Sequence, residues 1–529
     1  MNIADILQQQ ARHRPDDIAI IDYYRKQQRR CQFDELEQAS AQAAHLLHQS
    51  GLKTGDSVLV FQAVSMELYV ALIAIFRLGL VAMFLDPSAG RKHIEHCCQL
   101  NPPKALIAST KAHLLRLLSS ALRRIPIKYV IGCSVPGAIN WKKANRLTPF
   151  SKIAQREPED AALITFTSGS TGQPKGAVRS HGFLIAQHQA LEQSLALQAG
   201  EIDLSTLPIF VLANLASGVT SLIPDTDLRR PGAIDAVSVM RQTTQIKPER
   251  CAASPAFYEC LINYCTTHKQ TLPSFRQIYT GGAPVFPKLL AQLQQLAPQA
   301  HVVAVYGSTE AEPIAHMRFS DMSEHDLQAM VHGKGLLTGQ PVPQISLRII
   351  SMQWGQAIGS LSVSEFDTIA LANGKIGEIV VHGDHVLHGY LHGKGDEETK
   401  FDVDNQRWHR TGDAGYVDET SRLWLMGRCA ARIEDSHGVL YPFTIECAAY
   451  QQTGVHRAAV ISHHDKRLLV IEAQKNSQPD LETLQKTLQW AKLDEIRLID
   501  KIPMDKRHNA KIDYPALQSA LNRSMKMRG

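Results

Sequence analysis

The stretch TFTSGSTGQPKGAV, residues 165–178, packs three glycines, five hydroxyl residues and one lysine into fourteen positions. An apolar strand pattern leads into it, and Pro-Lys-Gly leads out of it. Glycines let backbone N–H groups approach a polyphosphate, hydroxyls donate hydrogen bonds to it, and Lys175 offsets its charge. The stretch therefore predicts a phosphate-binding loop. The simpler alternative is a surface loop that happens to be rich in Gly and Ser.

The best-known phosphate loop is excluded by spacing. A Walker loop requires G-x-x-x-x-G-K-[ST], but counting from Gly169 brings Pro174 to the position of the second glycine. The pattern therefore disfavours a P-loop NTPase.

The rest of the chain alternates strand and helix patterns. At 529 residues and 44% hydrophobic content, it is large enough for more than one domain. Apolar, β-branched runs predict strands at 57–61, 104–108, 128–132, 162–167, 277–282 and 301–307, and amphipathic patterns predict helices at 33–51 and 287–298. This alternation predicts an α/β fold, with a large N-terminal domain of layered, mostly parallel sheets with helices. After about residue 427, strands near 458–473 and a helix at 480–491 predict a small, mobile C-terminal α/β domain.

Two features bear on location. The apolar run at 68–85 imitates a membrane span, but Arg77 and Gly79 interrupt it and Asp86-Pro87 closes it. A buried helix ending at Gly79 and a buried strand explain it better. The nine cysteines include no C-x-x-C pair and the N-terminus has no signal-peptide core, so we predict free, mostly buried thiols and a soluble, cytoplasmic protein.

Further motifs follow the glycine-rich stretch in order. They are GGAP at 281–284, YGSTE at 306–310, GEIVVHGDHVLHGY from Gly377, HRTGD at 409–413, LWLMGR at 423–428 and PMDKRHNAKID at 503–513. Together they resemble the adenylate-forming superfamily of acyl-CoA ligases, peptide-synthetase adenylation domains and luciferases. The resemblance runs from about residue 14 to about residue 515, nearly the whole chain.

The resemblance implies ATP and Mg²⁺ as cofactors, a small-molecule carboxylic acid as substrate, and no nucleic acid. It implies that nucleotide is bound by Thr167, Ser168, Gly169, Ser170, Thr171, Gly172, Gly282, Ala283, Pro284, Tyr306, Gly307, Ser308, Asp413 and Arg428. It implies catalytic roles for Lys175, Thr309, Glu310 and Lys511, with Glu310 holding the metal. It places His181, Phe210, Val211 and Gly281 in the substrate pocket. Residues 1–427 would form the adenylation domain, and 428–529 the mobile domain that carries Lys511.

The implied reaction explains these residue types. Attack of a carboxylate on the α-phosphate of ATP yields an acyl-adenylate and pyrophosphate, and it accumulates negative charge. Mg²⁺ on Glu310, with Lys175 and Lys511, would stabilise that charge. The Asp413 carboxylate suits the two ribose hydroxyls. Because Lys511 lies well beyond the domain junction, closure of the domains must deliver it.

The final product is open. Val211 stands where many relatives have a histidine, and Ala430 stands at a usually charged hinge position. The commoner outcome is a fatty-acyl thioester, with CoA or a carrier-protein phosphopantetheine as acceptor. VTSLIPDTDLRRP (219–231) and RHNAKI (507–512) resemble instead the branch with olefin-pathway β-lactone synthetases, in which the substrate's own hydroxyl displaces AMP. A non-catalytic nucleotide-binding relative is a third alternative, although Glu310, Asp413 and Lys511 are present.

A metal site is suggested by four histidines close together in sequence, His382, His385, His388 and His392. No cysteine or helical framework accompanies them.

Charge is unevenly distributed. The net charge is +5, yet the interval 97–156 holds eleven Lys or Arg and no Asp or Glu. Within it, residues 111–124 place leucines on a helical stripe. The ordinary interpretation is a helix whose stripe faces the core. The functional interpretation makes the basic segment 104–156 a docking surface for an acyl carrier protein or an anionic membrane.

Overall fold

The computed structural model of the chain describes residues 1–168, 174–474, 477–504 and 512–526. Its α-helices are Ile3–His13, Phe33–Gln49, Met66–Arg77, Arg91–Leu100, Leu115–Leu118, Ser120–Arg124, His181–Ser194, Pro208–Ser217, Ala236–Ile246, Pro255–His268, Pro287–Leu296, Glu324–Val331, Val363–Ile369, Asp396–Thr399, Pro442–Tyr450, Leu481–Thr487 and Tyr514–Lys526.

The first layer is a seven-stranded sheet. Its spatial order is Ile139–Asn140, Ile127–Ile131, Ala105–Ser109, Ser57–Phe61, Val81–Phe84, Ala161–Ser168 and Pro174–Ser180. All pairings are parallel except the last, in which 161–168 and 174–180 run antiparallel. The glycine-rich connection between these two strands, 169–173, lies outside the described residues.

The second layer is a fourteen-stranded sheet. Its parallel half contains Ile18–Tyr24, Thr220–Leu222, Ile202–Ser205, Arg250–Ala253, Gln277–Gly281 and His301–Ser308, with Gln27–Gln32 antiparallel at the edge. Its antiparallel half contains Ala311–Arg318, Leu336–Pro341, Leu423–Arg428, Gln406–Val417, Gly377–His382, Ser346–Ile350 and Lys400–Val403. The predicted parallel layers thus form up to residue 308, and the strands of this sheet that follow pair antiparallel.

The C-terminal part has its own core. A hairpin of Ile433–Asp435 and Gly438–Leu440 precedes a three-stranded sheet of Val455–His463, Lys466–Ala473 and Glu495–Ile499. Helices 442–450 and 481–487 pack their apolar faces on this sheet around Ile445, Leu469 and Leu484. The α/β fold with a large and a small part is therefore confirmed.

The apolar run that imitates a membrane span is a helix and a strand, as predicted. Helix Met66–Arg77 is buried from Leu68 onward, and strand Val81–Phe84 follows it. Gly79 has φ +64°, which ends the helix in a conformation that favours glycine. No helix in the described part of the chain is long and apolar enough to cross a membrane. All nine cysteines are free and seven of them are buried, as expected.

The basic segment departs from expectation. The stripe at 111–124 was expected on one continuous helix, but Ser119 has extended backbone (φ −115°, ψ 123°) and separates helix 115–118 from helix 120–124. Leu122 is fully buried, whereas Leu114, Leu117 and Leu118 are exposed. The interpretation of the whole stripe as core-facing is therefore wrong, because the extended backbone at Ser119 interrupts the helical periodicity of the stripe.

Candidate active site

A cleft of about 2060 Å³ lies between the large sheet and the C-terminal part. The carboxyl ends of strands 277–281 and 301–308 reach it, which is where open parallel sheets bind ligands. It is lined by most of the motif residues expected to bind nucleotide or catalyse: Lys175, Gly282, Ala283, Pro284, Tyr306, Gly307, Ser308, Thr309, Glu310, Asp413 and Arg428. The fold thus gathers five motifs that are up to 253 positions apart in sequence (175 to 428).

Asp413 is held by two groups from other strands of the large sheet. Its Oδ2 accepts a hydrogen bond from the Tyr306 hydroxyl (2.7 Å), and its Oδ1 accepts from Arg428 Nη1 (2.9 Å). The Asp413 charge raises the pKa of Arg428, and burial together with that charge raises the pKa of Tyr306 well above its usual value. The two hydrogen bonds therefore fix the Asp413 side chain at the cleft wall, where its carboxyl oxygens could accept from two vicinal hydroxyls.

Glu310 lies beside a second tyrosine. Its Oε1 accepts from the Tyr390 hydroxyl (2.8 Å). Lys400 is buried next to them: its Nζ donates to the Leu387 carbonyl and lies 5.8 Å from the centre of the Tyr390 ring. Burial lowers the pKa of Lys400 to about 7, although the Glu310 and Asp396 carboxylates oppose that change. The carboxylate expected to hold a metal thus has a tyrosine hydroxyl and a titratable ammonium as neighbours.

Lys175 and Thr309 complete the nucleotide side. Lys175 Nζ donates to Glu398 Oε2 (2.7 Å) and lies 5.7 Å from the Tyr390 ring centre. The Thr309 carbonyl accepts from Arg179 Nη2 (3.0 Å), and Arg179 Nη1 donates to Thr165 Oγ1 (2.9 Å). Arg179 therefore ties the strand leading to the glycine-rich loop to the YGSTE motif.

The donor set fits Mg²⁺ only together with a phosphate ligand. Among the described residues, no group of three or more His, Cys, Asp and Glu side chains could hold a metal on its own. Mg²⁺ typically takes one or two carboxylates and completes its octahedron with water and substrate phosphate oxygens. Glu310 could supply one carboxylate in this way.

The four-histidine stretch is not a metal site. His382 Nδ1, His385 Nε2 and His392 Nε2 each hydrogen-bond a different backbone carbonyl, at Arg407, Pro313 and Leu100. Each of these three imidazoles is held by its own backbone partner, and no metal-holding group is found among the described residues.

The opposite arm of the cleft is apolar. Leu68, Leu72 and Phe76 lie at i, i+4 and i+8 on helix 66–77, so they share one face, and that face lines the cleft. Leu207, Ile209 and Leu212 line it from the start of helix 208–217. This arm has the lining that an acyl chain requires.

Four residues expected in the substrate pocket lie elsewhere. Phe210 and Val211 point into the core, because helical periodicity turns them away from the face that carries Ile209 and Leu212. Gly281 does not line the cleft either: a Cβ there would lie 2.7 Å from the Val305 carbonyl oxygen, so this glycine permits close approach of two strands.

The fourth is His181. It is fully buried at the N-terminus of helix 181–194, and its Nδ1 accepts from the Ile3 backbone N–H (3.2 Å). Burial lowers the pKa of His181 to about 4. The Nδ1 contact holds the first helix of the chain, and His181 does not line the cleft; its substrate contact stays a prediction.

A polar group borders the apolar arm. Glu312, Arg179 and Gln187 all line the cleft. Burial raises the pKa of Glu312 to about 7, with Arg179 as the opposing charge. Gln187 donates through Nε2 to the Glu312 carbonyl (3.3 Å), while its buried Oε1 and the buried Arg179 Nε have no hydrogen-bond partner in the described part of the protein. Buried polar atoms without partners are rare and mark sites where a ligand can supply the missing bond.

The C-terminal part closes the cleft. Tyr450 stacks on Phe286 with ring centres 4.3 Å apart, and Trp490 Nε1 donates to the Val331 carbonyl (3.3 Å). Met504 and Ile512 line the cleft. Lys511, and Gly169, Ser170, Thr171 and Gly172 of the glycine-rich loop, lie outside the described residues, as do the side chains of Thr167 and Ser168.

Sequence reasoning missed Tyr390, Lys400, Glu398, Arg179 and Glu312. Some signal was available: Tyr390 ends the GEIVVHGDHVLHGY motif, Arg179 follows the glycine-rich stretch, and Glu312 is two positions beyond YGSTE. No sequence signal marked Lys400 and Glu398, because they belong to no recognised motif. Their hydrogen-bond partners are more than a dozen positions away or on other elements.

Comparison with known proteins supports the assignment of this cleft. The AMP-binding enzyme family matches residues 7–391. The chain is 31% identical to an olefin β-lactone synthetase of Stenotrophomonas maltophilia, over 97% of this chain and 96% of that protein.

Solved structures share the fold at lower identity. The anthranilate CoA ligase AuaEII in complex with anthranoyl-AMP superposes with a TM-score of 0.82 at 18% identity, covering 99% of this chain and 98% of that one. ATP-bound MatB from Rhodopseudomonas palustris gives 0.80 at 20% identity, covering 98% and 99%. With the motif residues assembled around one cleft and most of the chain matched, the protein belongs to the AMP-binding enzyme family and is an AMP-forming ligase.

Proposed function

We propose that the protein converts an apolar 3-hydroxy carboxylic acid to its acyl-adenylate, and that the acid's own hydroxyl then displaces AMP to give a β-lactone. The observation that carries the proposal is the single cleft in which a charged nucleotide side, an apolar arm and the carboxyl group of Glu312 meet. The olefin β-lactone synthetase that resembles the chain over almost its full length supports the same product.

In the first step, a carboxylate oxygen of the acid attacks the α-phosphate of ATP and pyrophosphate leaves. Asp413 would hold the ribose, and Lys175 and the backbone around Thr309 would hold the phosphates. Mg²⁺, bound by Glu310 and phosphate oxygens, would neutralise charge when present. Lys511 would add a second cation; its described neighbour Ile512 lines the cleft.

In the second step, the 3-hydroxyl oxygen attacks the carbonyl carbon of the adenylate, and the bond from that carbon to the AMP oxygen breaks. The hydroxyl proton needs an acceptor. Glu312 is suited to this because burial has raised its pKa to about 7, which is favourable for a base acting near neutral pH. Arg179 lies close enough to influence the pKa of Glu312 and would orient it.

Thioester formation is the second candidate. CoA or a carrier-protein phosphopantetheine would then attack the same carbonyl carbon through sulfur. Supporting it are the chain's relatives among acyl-CoA ligases, including 4-coumarate–CoA ligase 3 of Arabidopsis thaliana, 24% identical over 79% of this chain. Three expectations stay predictions: a carrier protein or membrane as partner, a domain boundary between residues 427 and 428, and a cytoplasmic location.

Product analysis with paired substrates separates the candidates. One mixture contains ATP, Mg²⁺ and a long-chain 3-hydroxy acid without thiol; the other contains ATP, Mg²⁺, the acid lacking the hydroxyl, and CoA. We expect a β-lactone and AMP from the first mixture and little acyl-CoA from the second. Acyl-CoA from the second with no lactone from the first would replace the proposal by the thioester.

Lys511 is tested separately. Lys511→Ala is expected to lower acyl-adenylate formation by a factor of about 10² to 10³, as when one transition-state cation is lost, and to leave ATP binding intact. The same change at Lys501, an exposed lysine of the same region, is the control. Normal pyrophosphate exchange by Lys511→Ala would remove this residue from the mechanism.

A further inference from the structure

One surface turn concentrates exposed apolar side chains. Leu114, Leu117 and Leu118 are 63%, 75% and 64% exposed, the three highest values for large apolar side chains among the described residues. Residues 111–118 have helical backbone throughout, so positions i, i+3 and i+4 lie on one face. We call these three residues the leucine patch.

The leucine patch is surrounded by fixed positive charge. Arg116 Nη1 donates to the Pro136 carbonyl (3.1 Å), and Arg123 Nη1 donates to the Arg116 and Leu117 carbonyls (2.9 and 3.1 Å). Both arginines therefore also hold the turn in place. Lys111 and Arg124 are exposed on either side of it. The Glu95 carboxylate, which contacts Ser120 just after the turn, is paired with Arg91.

We propose that the leucine patch and its basic surround dock the protein on the surface of an anionic lipid membrane. A protruding apolar turn with flanking cations can insert among lipid headgroups while the charges meet lipid phosphates. A stable protein partner would instead need about 800 Å² on each side, and three leucines on one convex turn offer far less.

The position suits delivery of an apolar substrate. Ser120, directly after the turn, is hydrogen-bonded to Glu95 of helix 91–100, and His93 of the same helix lines the cleft. The docking surface and the cleft are thus separated by one helix.

The test is co-sedimentation of the full chain with phosphatidylglycerol–phosphatidylcholine vesicles and with pure phosphatidylcholine vesicles, at low and high salt. We expect binding to the anionic vesicles that high salt weakens. Leu117→Ser/Leu118→Ser should reduce the association constant at least about tenfold, because two apolar side chains no longer insert. Lys111→Glu/Arg124→Glu should reduce it by a similar factor; this pair avoids Arg116 and Arg123, which hold the turn.

Matched controls use the same changes elsewhere on the surface. Val237→Ser/Val363→Ser alters two other exposed apolar residues, and Lys375→Glu/Lys466→Glu alters two other exposed lysines. Both controls should bind vesicles as the parent does, and all variants should keep pyrophosphate exchange with a water-soluble acid. Equal binding by the leucine variant and the parent would overturn the proposal. The proposal would also be overturned if the parent bound no vesicles but bound an acyl carrier protein, and these variants lost that binding.

Discussion

The nucleotide side and the acyl side of the cleft differ in how their polar groups are satisfied. On the nucleotide side, Asp413 pairs with Tyr306 and Arg428, Glu310 with Tyr390, and Lys175 with Glu398. On the acyl side, apolar residues dominate, and the polar atoms Gln187 Oε1 and Arg179 Nε have no partner in the described part of the chain.

The difference separates shared chemistry from selectivity. A preorganised charged wall suits a reaction in which the same phosphates are always in the same place. An apolar arm with a few unsatisfied polar groups suits discrimination between acids, because a substrate hydroxyl that pairs a buried group is strongly favoured over a substrate that lacks it.

Glu310→Gln should have the largest effect. The change removes the carboxylate charge while keeping its shape and a hydrogen-bond acceptor for Tyr390, so we expect a loss of about 10² to 10³ in pyrophosphate exchange. Glu312→Gln is the matched control: it makes the same change two positions away on the acyl side and should keep adenylation. Equal losses in both variants would erase the distinction between the two sides.

Glu312→Gln should instead stop lactone closure and change its pH dependence. A base acts when deprotonated, and burial raises the Glu312 pKa to about 7. Closure should therefore be slow at pH 5, rise through about pH 7 and level off above it. The measurement is lactone release from preformed acyl-adenylate across this range. If the rate of lactone release by Glu312→Gln rose with pH in the same way, a group other than Glu312 would be the proton acceptor.

Leu72→Phe should shift the preference of the protein toward acids with shorter chains. The added volume fills the apolar arm, so the ratio of rates for long and short acids should fall by about tenfold or more. Some destabilisation, about 1–3 kcal/mol, accompanies overpacking of a core residue. Leu78→Phe controls for this loss of stability. Leu78 is a buried leucine just beyond the same helix, and it does not line the cleft. An unchanged chain-length profile in Leu72→Phe would place the acyl chain elsewhere.

Glu398→Gln should have the smallest effect. It releases Lys175 from an ion pair of 2.7 Å whose carboxylate is about half exposed. Such pairs contribute about 0.2–1 kcal/mol, so ATP should bind up to about fivefold more tightly, as calorimetry can measure. Glu397→Gln, at the adjacent exposed glutamate, should leave the affinity unchanged. Weaker ATP binding by Glu398→Gln would indicate that Glu398 itself contacts the nucleotide complex.

The sequence predicted the nucleotide side better than the acyl side for a physical reason. Tyr306 and Glu310 lie in one short motif at the end of strand 301–308, and Asp413 lies in another within strand 406–417. The acyl wall combines single faces of helices 66–77, 181–194 and 208–217, which no local pattern links. Phe210 and Val211 illustrate the limit: they lie on a helix whose other face, with Ile209 and Leu212, lines the cleft.

The basic segment shows a similar limit. Its leucine spacing fits a helix, and only the extended backbone at Ser119 reveals that the stripe is split. Ser119 accepts a long hydrogen bond from the Leu122 N–H (3.5 Å) as the cap of the second helix, and serine is a favoured cap. That signal was present in the sequence, but it was outweighed by the apolar periodicity.

Isotope transfer tests the central claim most directly. The protein is incubated with ATP, Mg²⁺ and a long-chain 3-hydroxy acid whose two carboxylate oxygens are ¹⁸O, and the AMP and the organic product are analysed by mass spectrometry. Attack of the carboxylate on the α-phosphate, followed by hydroxyl attack on carbon, predicts one ¹⁸O in AMP and one in the lactone carbonyl. AMP without ¹⁸O would contradict an acyl-adenylate and, with it, the proposed function of the cleft.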